Sequence, residues 1–242
     1  FFPIYTGLLG PTCCSAWKWE NKKISYPSYQ ELGYIHPNQF TPEKAIVEKY
    51  GIDTTKPYFV IRFAKLTAHH DVGIHGMNTQ IAEQVVNMLK PHGQIYITAE
   101  RELEPQFELY RIRINPLDMH HVMAFASLYI GDSQTMAAEA GVLGTPFVRF
   151  NDFVGRLSYL HELEAPTDYT PRKDGYVPIA DKHVPDEVHY SLGYGHKTAD
   201  VEGFYNSIAK WLAIPNRKEI CAQRREKMLS EKIDYAKFLT WF

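Results

Sequence analysis

A turn of small and polar residues joins an apolar segment to a helix near the middle of the chain. The turn, residues 131–133, follows the apolar residues 128–130, and a helix is predicted over 134–143. Backbone N–H groups at a helix N-terminus are free to bind an anion, which the helix dipole also favours. Glu139 lies six residues beyond Ser133, so its carboxylate could accept hydrogen bonds from a diol beside a phosphate. The pattern indicates a nucleotide or sugar-phosphate site; an ordinary strand–turn–helix connection capped by Ser133 is the alternative.

Four other polar residues occur in or directly after predicted strands. Arg62 and Arg149 could supply charge-assisted hydrogen bonds to an anion. Because strand residues alternate between faces, it stays open whether Arg62 points toward the site. Asn151 and Asp152 follow a strand and could reach sugar hydroxyls. A purely structural role is the alternative for each of the four.

Strands and helices alternate along most of the chain. The predicted strands are 58–63, 94–98, 110–114, 128–130, one starting at 147, and a short one at 189–192. The predicted helices are 42–50, 79–89, 116–126, 134–143, 200–213, 216–230 and 233–242. This alternation predicts an α/β fold with a doubly wound parallel sheet, in which ligands bind beyond the carboxyl ends of the strands.

Composition excludes several classes of function. The net charge of −2 shows no basic excess for nucleic acid, and no apolar run reaches the length of a membrane span. Three cysteines, two of them adjacent, are a poor disulfide framework and favour a reducing, cytoplasmic compartment. The histidines match no zinc spacing, so no metal site is predicted. A dinucleotide fingerprint and a serine-hydrolase elbow around Ser133 are also absent from the sequence.

The chain divides into three parts on the sequence pattern. Residues 1–40, rich in aromatics and without an initial Met, are interpreted as the remnant of an N-terminal domain and a linker. Residues 41–230 are predicted to form a Rossmann-like domain with a Pro-rich insertion over 165–190. Residues 231–242 are predicted to be a helix that packs back on the N-terminal side through an aromatic stripe, Phe238, Trp241 and Phe242.

Four segments carry a resemblance to a known family. They are YQELGYIHP (29–37), YFVIRFAKLTAHHDVG (58–73), the block over 126–164, and the tail over 225–242. Through them the chain resembles the C-terminal half of a domain-of-unknown-function family with a glycosyltransferase-B-like (GT-B) fold, which is similar to UDP-N-acetylglucosamine 2-epimerase. The resemblance covers most of the chain outside the Pro-rich insertion. It implies the C-terminal, nucleotide-sugar-binding domain of the GT-B fold.

The resemblance also assigns roles to the turn. In the epimerase, a Ser followed six residues later by a Glu binds UDP, with the diphosphate at the helix N-terminus and the Glu on the ribose hydroxyls. Ser133 and Glu139 match that spacing. Gln134 and Thr135 stand where the epimerase has two Gly, so the backbone has less room to approach a diphosphate.

Further residues are placed by the same resemblance. His69 and His70 occupy the position of a His–Arg pair in the epimerase and are the candidate catalytic residues. Asn115 belongs to a segment resembling the one that touches the base. The candidate binding residues are therefore Gly131, Asp132, Ser133, Gln134, Thr135, Glu139, Arg62, Asn115, Asn151 and Asp152.

The resemblance implies a function for the whole protein. We expect a domain that binds a nucleotide sugar, in particular a UDP-sugar, within a glycosyltransferase or epimerase-like enzyme of glycan biosynthesis. UDP-sugar would be the substrate, no cofactor would be required, and a glycan acceptor and an N-terminal domain would complete the reaction. A homodimer stays open, and this chain alone is expected to bind a nucleotide without turnover. The alternative is a non-catalytic nucleotide- or anion-binding module.

Overall fold

A five-stranded parallel sheet forms the centre of the fold. The computed structural model describes residues 6–64, 76–166 and 189–242. Two N-terminal strands, β1 (Leu8–Pro11) and β2 (Lys23–Tyr26), pair with each other in a separate parallel sheet. The central strands are β3 (Tyr58–Phe63), β4 (Gln94–Ala99), β5 (Leu128–Gly131), β6 (Phe147–Phe150) and β7 (Gly193–His196). Their order is β4-β3-β5-β6-β7 and every pair is parallel, which confirms the predicted parallel α/β sheet.

Helices cover both faces of this sheet. They are α1 (Lys44–Glu48), α2 (Thr79–Leu89), α3 (Met119–Phe125), α4 (Gln134–Val142), α5 (Ser158–Leu163), α6 (Val201–Ala213), α7 (Arg217–Glu231) and α8 (Tyr235–Trp241). Short 3-10 helices occur at Trp17–Lys22, Gln30–Gly33, Lys90–His92, Pro105–Tyr110 and Pro116–Asp118. On β6, the Phe147 ring lies against α4 at Gly141, whereas Phe150 points to the other face and meets Phe204 of α6 at 4.4 Å between ring centroids. The predicted doubly wound arrangement is therefore confirmed.

The order of the strands reverses between β3 and β5. The chain passes from β3 to its neighbour β4 and then returns to place β5 on the opposite side of β3. In open parallel sheets, this reversal leaves a crevice at the carboxyl ends of the two strands. Arg62 on β3 and Gly131 on β5 are register partners at that end of the sheet.

Helix α4 is buried around most of its circumference. Ala137, Ala138, Ala140 and Val142 have no exposed surface, so the helix has no apolar stripe with a solvated opposite face. The small side chains let neighbouring elements approach closely. A Cβ placed on Gly141 would lie 2.9 Å from the Phe147 ring. The sequence of α4 is thus set by close packing on β6.

Two predicted strands are wrong. Residues 110–114 make only an isolated bridge, Ile97 to Arg111, after the 3-10 helix Pro105–Tyr110. Residues 189–192 are not a strand because the N–H groups of Tyr190 and Leu192 donate to the carbonyls of Glu162 and Leu163. The strand follows immediately as β7.

The first helix and the C-terminal stripe also differ from expectation. Helix α1 starts two residues later than predicted, at Lys44. Of the stripe, Trp241 is 83% and Phe242 63% exposed, so their predicted packing is wrong. Phe238 does pack on the N-terminal segment as predicted, with its ring centroid 5.6 Å from that of Tyr26. Tyr235 adds a second contact by stacking on Tyr26, with ring centroids 4.5 Å apart.

A substitution in β7 tests the close packing of Gly193 on the Phe147 ring. A Cβ on Gly193 would lie 2.4 Å from the Phe147 ring, so we expect Gly193→Ala to lower the free energy of unfolding by about 1–3 kcal/mol. Gly10→Ala is the matched control, because its Cβ would meet only Lys23 Cε at 3.7 Å. Urea unfolding of both variants measures the effect. Equal stability of Gly193→Ala and the parent would contradict this packing.

Candidate functional site

The turn between β5 and α4 is capped by Ser133. Its backbone is extended (φ −87°, ψ 126°), and its Oγ accepts a hydrogen bond from the N–H of Met136 at 3.4 Å. This contact satisfies one of the free donors at the start of α4. The other first-turn N–H groups of α4 come directly after the carboxyl end of β5. Gln134 there is half-buried and Thr135 is exposed.

Asp132 holds the turn to the rest of the sheet. Its Oδ1 accepts from the N–H of Ala64 at 2.7 Å, and its Oδ2 accepts from the N–H of Met77 at 3.4 Å. Burial raises the pKa of this carboxyl to about 6, against the lowering effect of these N–H donors. Both oxygens are engaged, so the Asp132 carboxylate positions the turn.

Two residues expected at sugar hydroxyls make internal contacts. Asn151 Nδ2 donates to the carbonyl of Asp132 at 2.7 Å, and its Oδ1 accepts from the N–H of Phe153 at 2.9 Å. Asp152 Oδ1 accepts from the N–H and the hydroxyl of Thr198, at 3.3 and 2.5 Å. Both side chains therefore organise the loop that follows β6.

Two arginines, Arg62 and Arg149, flank Gly131 on the α4 face of the sheet. We call these neighbouring positions the arginine row. Arg62, Gly131 and Arg149 are register partners on β3, β5 and β6, and Arg149 shares a face with Phe147, which packs on α4. With strands about 4.8 Å apart, the two arginine Cα atoms lie roughly 10 Å apart. Arg62 therefore points to the same face of the sheet as Arg149. The sequence alone left the face of Arg62 open.

Several donors in this row have no acceptor among the described residues. Arg62 pairs with Glu100, but its buried Nε has no hydrogen-bond partner there. Arg149 has no exposed surface; its Nε donates to Glu164 at 2.9 Å, and its Nη1 has no partner. The fully buried hydroxyl of Tyr129 also lacks one. Unpaired buried donors are uncommon and call for an explanation.

Gly131 permits this crowding. A Cβ at Gly131 would lie 2.6 Å from the Tyr129 hydroxyl and 2.9 Å from Arg62 Cβ. The absence of a side chain therefore lets the Tyr129 hydroxyl lie over the backbone beside the arginine row.

Glu139 lies in the second turn of α4 and is 8% exposed. Its Oε1 accepts a hydrogen bond from the Tyr34 hydroxyl at 2.9 Å and lies 3.1 Å from His120 Nε2. The rings of Tyr34 and His120 have centroids 5.5 Å apart. Elements distant in sequence therefore converge on this carboxylate.

A second buried carboxyl, Glu31, lies beside the first. Glu31 belongs to the 3-10 helix Gln30–Gly33, which packs on α4, and it is 6% exposed. Burial, reinforced by the negative charge of Glu139, raises the pKa of Glu31 to about 7. Two carboxyls, a phenol and an imidazole thus form one cluster that sequence reasoning missed. Neither spacing nor motif links them; only the resemblance over 29–37 drew attention to that segment.

The remaining predicted residues lie elsewhere. His69 and His70 fall in 65–75, outside the described residues. Asn115 is exposed, caps the 3-10 helix Pro116–Asp118 through the N–H of Leu117 at 3.0 Å, and donates its own N–H to Tyr50. No described contact joins Asn115 to the turn before α4.

Neither metal clusters nor membrane spans occur in the part of the chain that the structure describes. Within residues 6–64, 76–166 and 189–242, no three His, Cys, Asp or Glu side chains are arranged to hold a metal ion. Across these same residues, every helix falls short of the length and apolar character needed to cross a membrane.

Comparison with known proteins gives only distant likenesses. No family model matches the chain, and no curated protein has a similar sequence. The chain is similar to the spinosyn forosaminyltransferase SpnP, with 13% identity over 91% of this chain and 49% of that one and a TM-score of 0.48. The wall teichoic acid polymerase TagF is 10% identical over 98% of this chain and 57% of that one, with a TM-score of 0.47. A UDP-GlcNAc 2-epimerase from Neisseria meningitidis bound to UDP-GlcNAc is 15% identical over 78% of this chain and 47% of that one, with a TM-score of 0.35.

The chain spans about half the length of these structures, from 47% to 57%. Their TM-scores are all below 0.5, so the likenesses decide nothing about this chain beyond what its own topology shows.

The pH dependence of stability tests the placement of Glu31. Since burial raises the Glu31 pKa from 4.5 to about 7, its stabilising contribution is complete below about pH 4.5 and is lost as pH rises through 7. The loss amounts to roughly 3 kcal/mol at most. We therefore expect Glu31→Gln to gain stability relative to the parent between pH 5 and 8, measured by urea unfolding. Exposed Glu43→Gln should show no such trend, and a pH-independent difference for Glu31→Gln would contradict this placement.

Proposed function

We propose that this chain is a nucleotide-sugar-binding domain of GT-B type that takes a UDP-sugar as donor. The observation that carries the proposal is the row of unused donors at the crevice between β3 and β5. Arg62 Nε, the Tyr129 hydroxyl and Arg149 Nη1 lack acceptors among the described residues, and they lie on the face covered by α4. A diphosphate at the α4 N-terminus would be favoured by the helix dipole, and it would supply acceptors for these donors if binding uncovers them, since Arg149 and Tyr129 have no exposed surface in the free protein.

The ribose would bind at Glu139. Both described contacts of this carboxylate use Oε1, which leaves Oε2 for a ribose hydroxyl. Gln134 and Thr135, at the first turn of α4, would flank the diphosphate on its solvent side. The exposure of Thr135 makes this arrangement sterically reasonable despite the lack of glycine.

The same site could belong to an enzyme or to a binding module. As part of a glycosyltransferase or epimerase-like enzyme, the domain would bind the donor without a required cofactor, and His69 and His70 would assist departure of the nucleoside diphosphate. The internal contacts of Asn151 and Asp152 favour the module, since both were expected at sugar hydroxyls. Incubation of the full-length protein with UDP-GlcNAc distinguishes the two: release of UDP supports the enzyme, and binding without turnover supports the module.

Tyr129→Phe tests the row of unused donors directly. Removing a buried hydroxyl without an acceptor should raise the free energy of unfolding by about 1 kcal/mol, because its desolvation is no longer uncompensated. The same change should weaken UDP binding about 3- to 10-fold, since one donor to the diphosphate is lost. Urea unfolding and calorimetric titration with UDP give the two values.

Tyr58→Phe is the matched control for this test. The Tyr58 hydroxyl is buried and donates to the carbonyl of Val122 at 2.6 Å, so its removal should destabilise the fold and leave UDP affinity unchanged. Unchanged UDP affinity in Tyr129→Phe would count against a diphosphate at this row.

Glu139→Gln tests the ribose contact. Replacing a charge-assisted hydrogen bond should weaken UDP binding by about 1.5–3 kcal/mol, or at least about tenfold, while pyrophosphate affinity stays unchanged. Glu202→Gln, at an exposed glutamate in the first turn of α6, is the control. If Glu139→Gln bound UDP as tightly as the parent, Glu139 would have no role at the ribose.

A further inference from the structure

Two adjacent thiols lie in the N-terminal segment, away from the turn before α4. The chain has three cysteines, and all are free thiols. Cys13 Sγ and Cys14 Sγ are 4.0 Å apart. Cys13 is 5% exposed and Cys14 is half-buried, whereas Cys221 has no exposed surface. Of the three, Cys14 is therefore the thiol within reach of a small molecule.

Cys14 lines a cavity of about 670 Å³. This volume falls within the range of about 300–1,000 Å³ that is typical of small-molecule sites. The walls are largely apolar and aromatic, and two lysines also line the cavity. The lining includes Leu8, Leu9, Trp17, Trp19, Lys18 and Lys23. None of the lining residues belongs to the turn before α4 or to the arginine row.

The surroundings of Cys14 favour a thiolate at its sulfur. The hydrogen bond from Cys13 lowers the pKa of Cys14, with further lowering from the N–H of Tyr159 and the charge of Lys23, against the raising effects of burial and Glu162. The pKa of Cys13 is raised, first by the same hydrogen bond. Lys23 Nζ also donates to the Cys14 carbonyl, which holds its charge beside this residue. These effects favour the thiolate of Cys14 over that of Cys13, and the thiolate is the form that reacts as a nucleophile.

The backbone beside the cavity is held in an uncommon conformation. Trp17 has φ +54°, a region that non-glycine residues seldom occupy, and its side chain is 62% exposed. The hydroxyl of Ser15 accepts from the Trp17 N–H at 3.0 Å, and Glu20 accepts from the N–H of Ala16 at 2.6 Å. These contacts hold the backbone that carries Trp17 at the wall of the cavity.

We propose that Cys14 is a site of reversible modification by an anionic low-molecular-weight disulfide, which enters the cavity and leaves a mixed disulfide on Cys14. The Cys14 thiolate attacks one sulfur of the incoming disulfide, forms the new S–S bond and breaks the old one. The departing thiolate takes a proton from water. The incoming disulfide is the oxidant, so no other reactant is needed.

The charge of the cavity selects the class of disulfide. Lys18 lies over the Trp19 ring at 5.3 Å, and Lys23 lies 3.5 Å from the half-exposed Glu20. The ammonium of Lys23 is buried and already paired with Glu20, whereas Lys18 is exposed. The Lys18 ammonium raises the local concentration of anions, so carboxylate-bearing disulfides should react faster than neutral ones. Cys13 acts as a positioning residue because its thiol lies 4.0 Å from the Cys14 sulfur and can donate a hydrogen bond to it.

The experiment compares two probes on the folded chain. Oxidised glutathione carries carboxylates, and hydroxyethyl disulfide is neutral. We expect one adduct per chain, mapped to Cys14 by mass spectrometry of peptides, and a reaction at least about tenfold faster with oxidised glutathione. Lys18→Ala combined with Lys23→Ala should remove most of this preference. An adduct on Cys221, or equal rates with the two probes, would overturn the proposal.

Variants at the cysteines complete the test. Cys14→Ser should form no adduct, and Cys221→Ser should react as the parent does. Cys13→Ala should slow the reaction, whereas Cys13→Ser, which keeps a donor, should restore much of the rate. Site mapping on the parent chain remains decisive if a variant fails to fold. A Cys13→Ala rate equal to that of the parent would overturn the role given to Cys13.

Discussion

The hydrogen bonds of Asp132 hold together the carboxyl end of the sheet. The carboxylate binds the N–H groups of Ala64 and Met77, on either side of residues 65–75, while the Asp132 carbonyl accepts from Asn151 after β6. One residue thereby links the ends of β3, β5 and β6 to the start of α2. Because α4 begins at the next residue but one, these bonds also fix the direction in which its first N–H groups point. The backbone at the strand reversal is therefore held in one conformation by the contacts of Asp132.

Charge is unusually concentrated beneath α4. Arg62 and Arg149 lie side by side on one face of the sheet, the Arg149 guanidinium pairs with Glu164, and Glu31 lies near Glu139 of α4. In a protein interior, opposite charges compensate the cost of burial only when they are paired and hydrogen-bonded. Here the pairing is incomplete, because Arg62 Nε and Arg149 Nη1 have no acceptor among the described residues. Burial also raises the pKa of Glu31, which favours the neutral form of this carboxyl.

The sequence predicts the fold better than it predicts the site. Strands β3 to β6 and helix α4 were placed correctly because their apolar residues repeat with the period of the element and their ends carry caps or glycines. Strand β7 was misplaced because its glycines replace the β-branched residues that mark a buried strand; side chains there would collide with Phe147 and Glu164. The cluster around Glu139 was missed because Tyr34 is 105 residues away in sequence, so only tertiary packing unites them.

The contact at Gly131 has a consequence for evolution. The Tyr129 hydroxyl and the Arg62 side chain fill the space that any larger residue at position 131 would need. Steric contact therefore couples the residue sizes that positions 62, 129 and 131 can accept across two strands. In related chains, a side chain at position 131 would require a smaller residue at 129 or a displaced residue at 62.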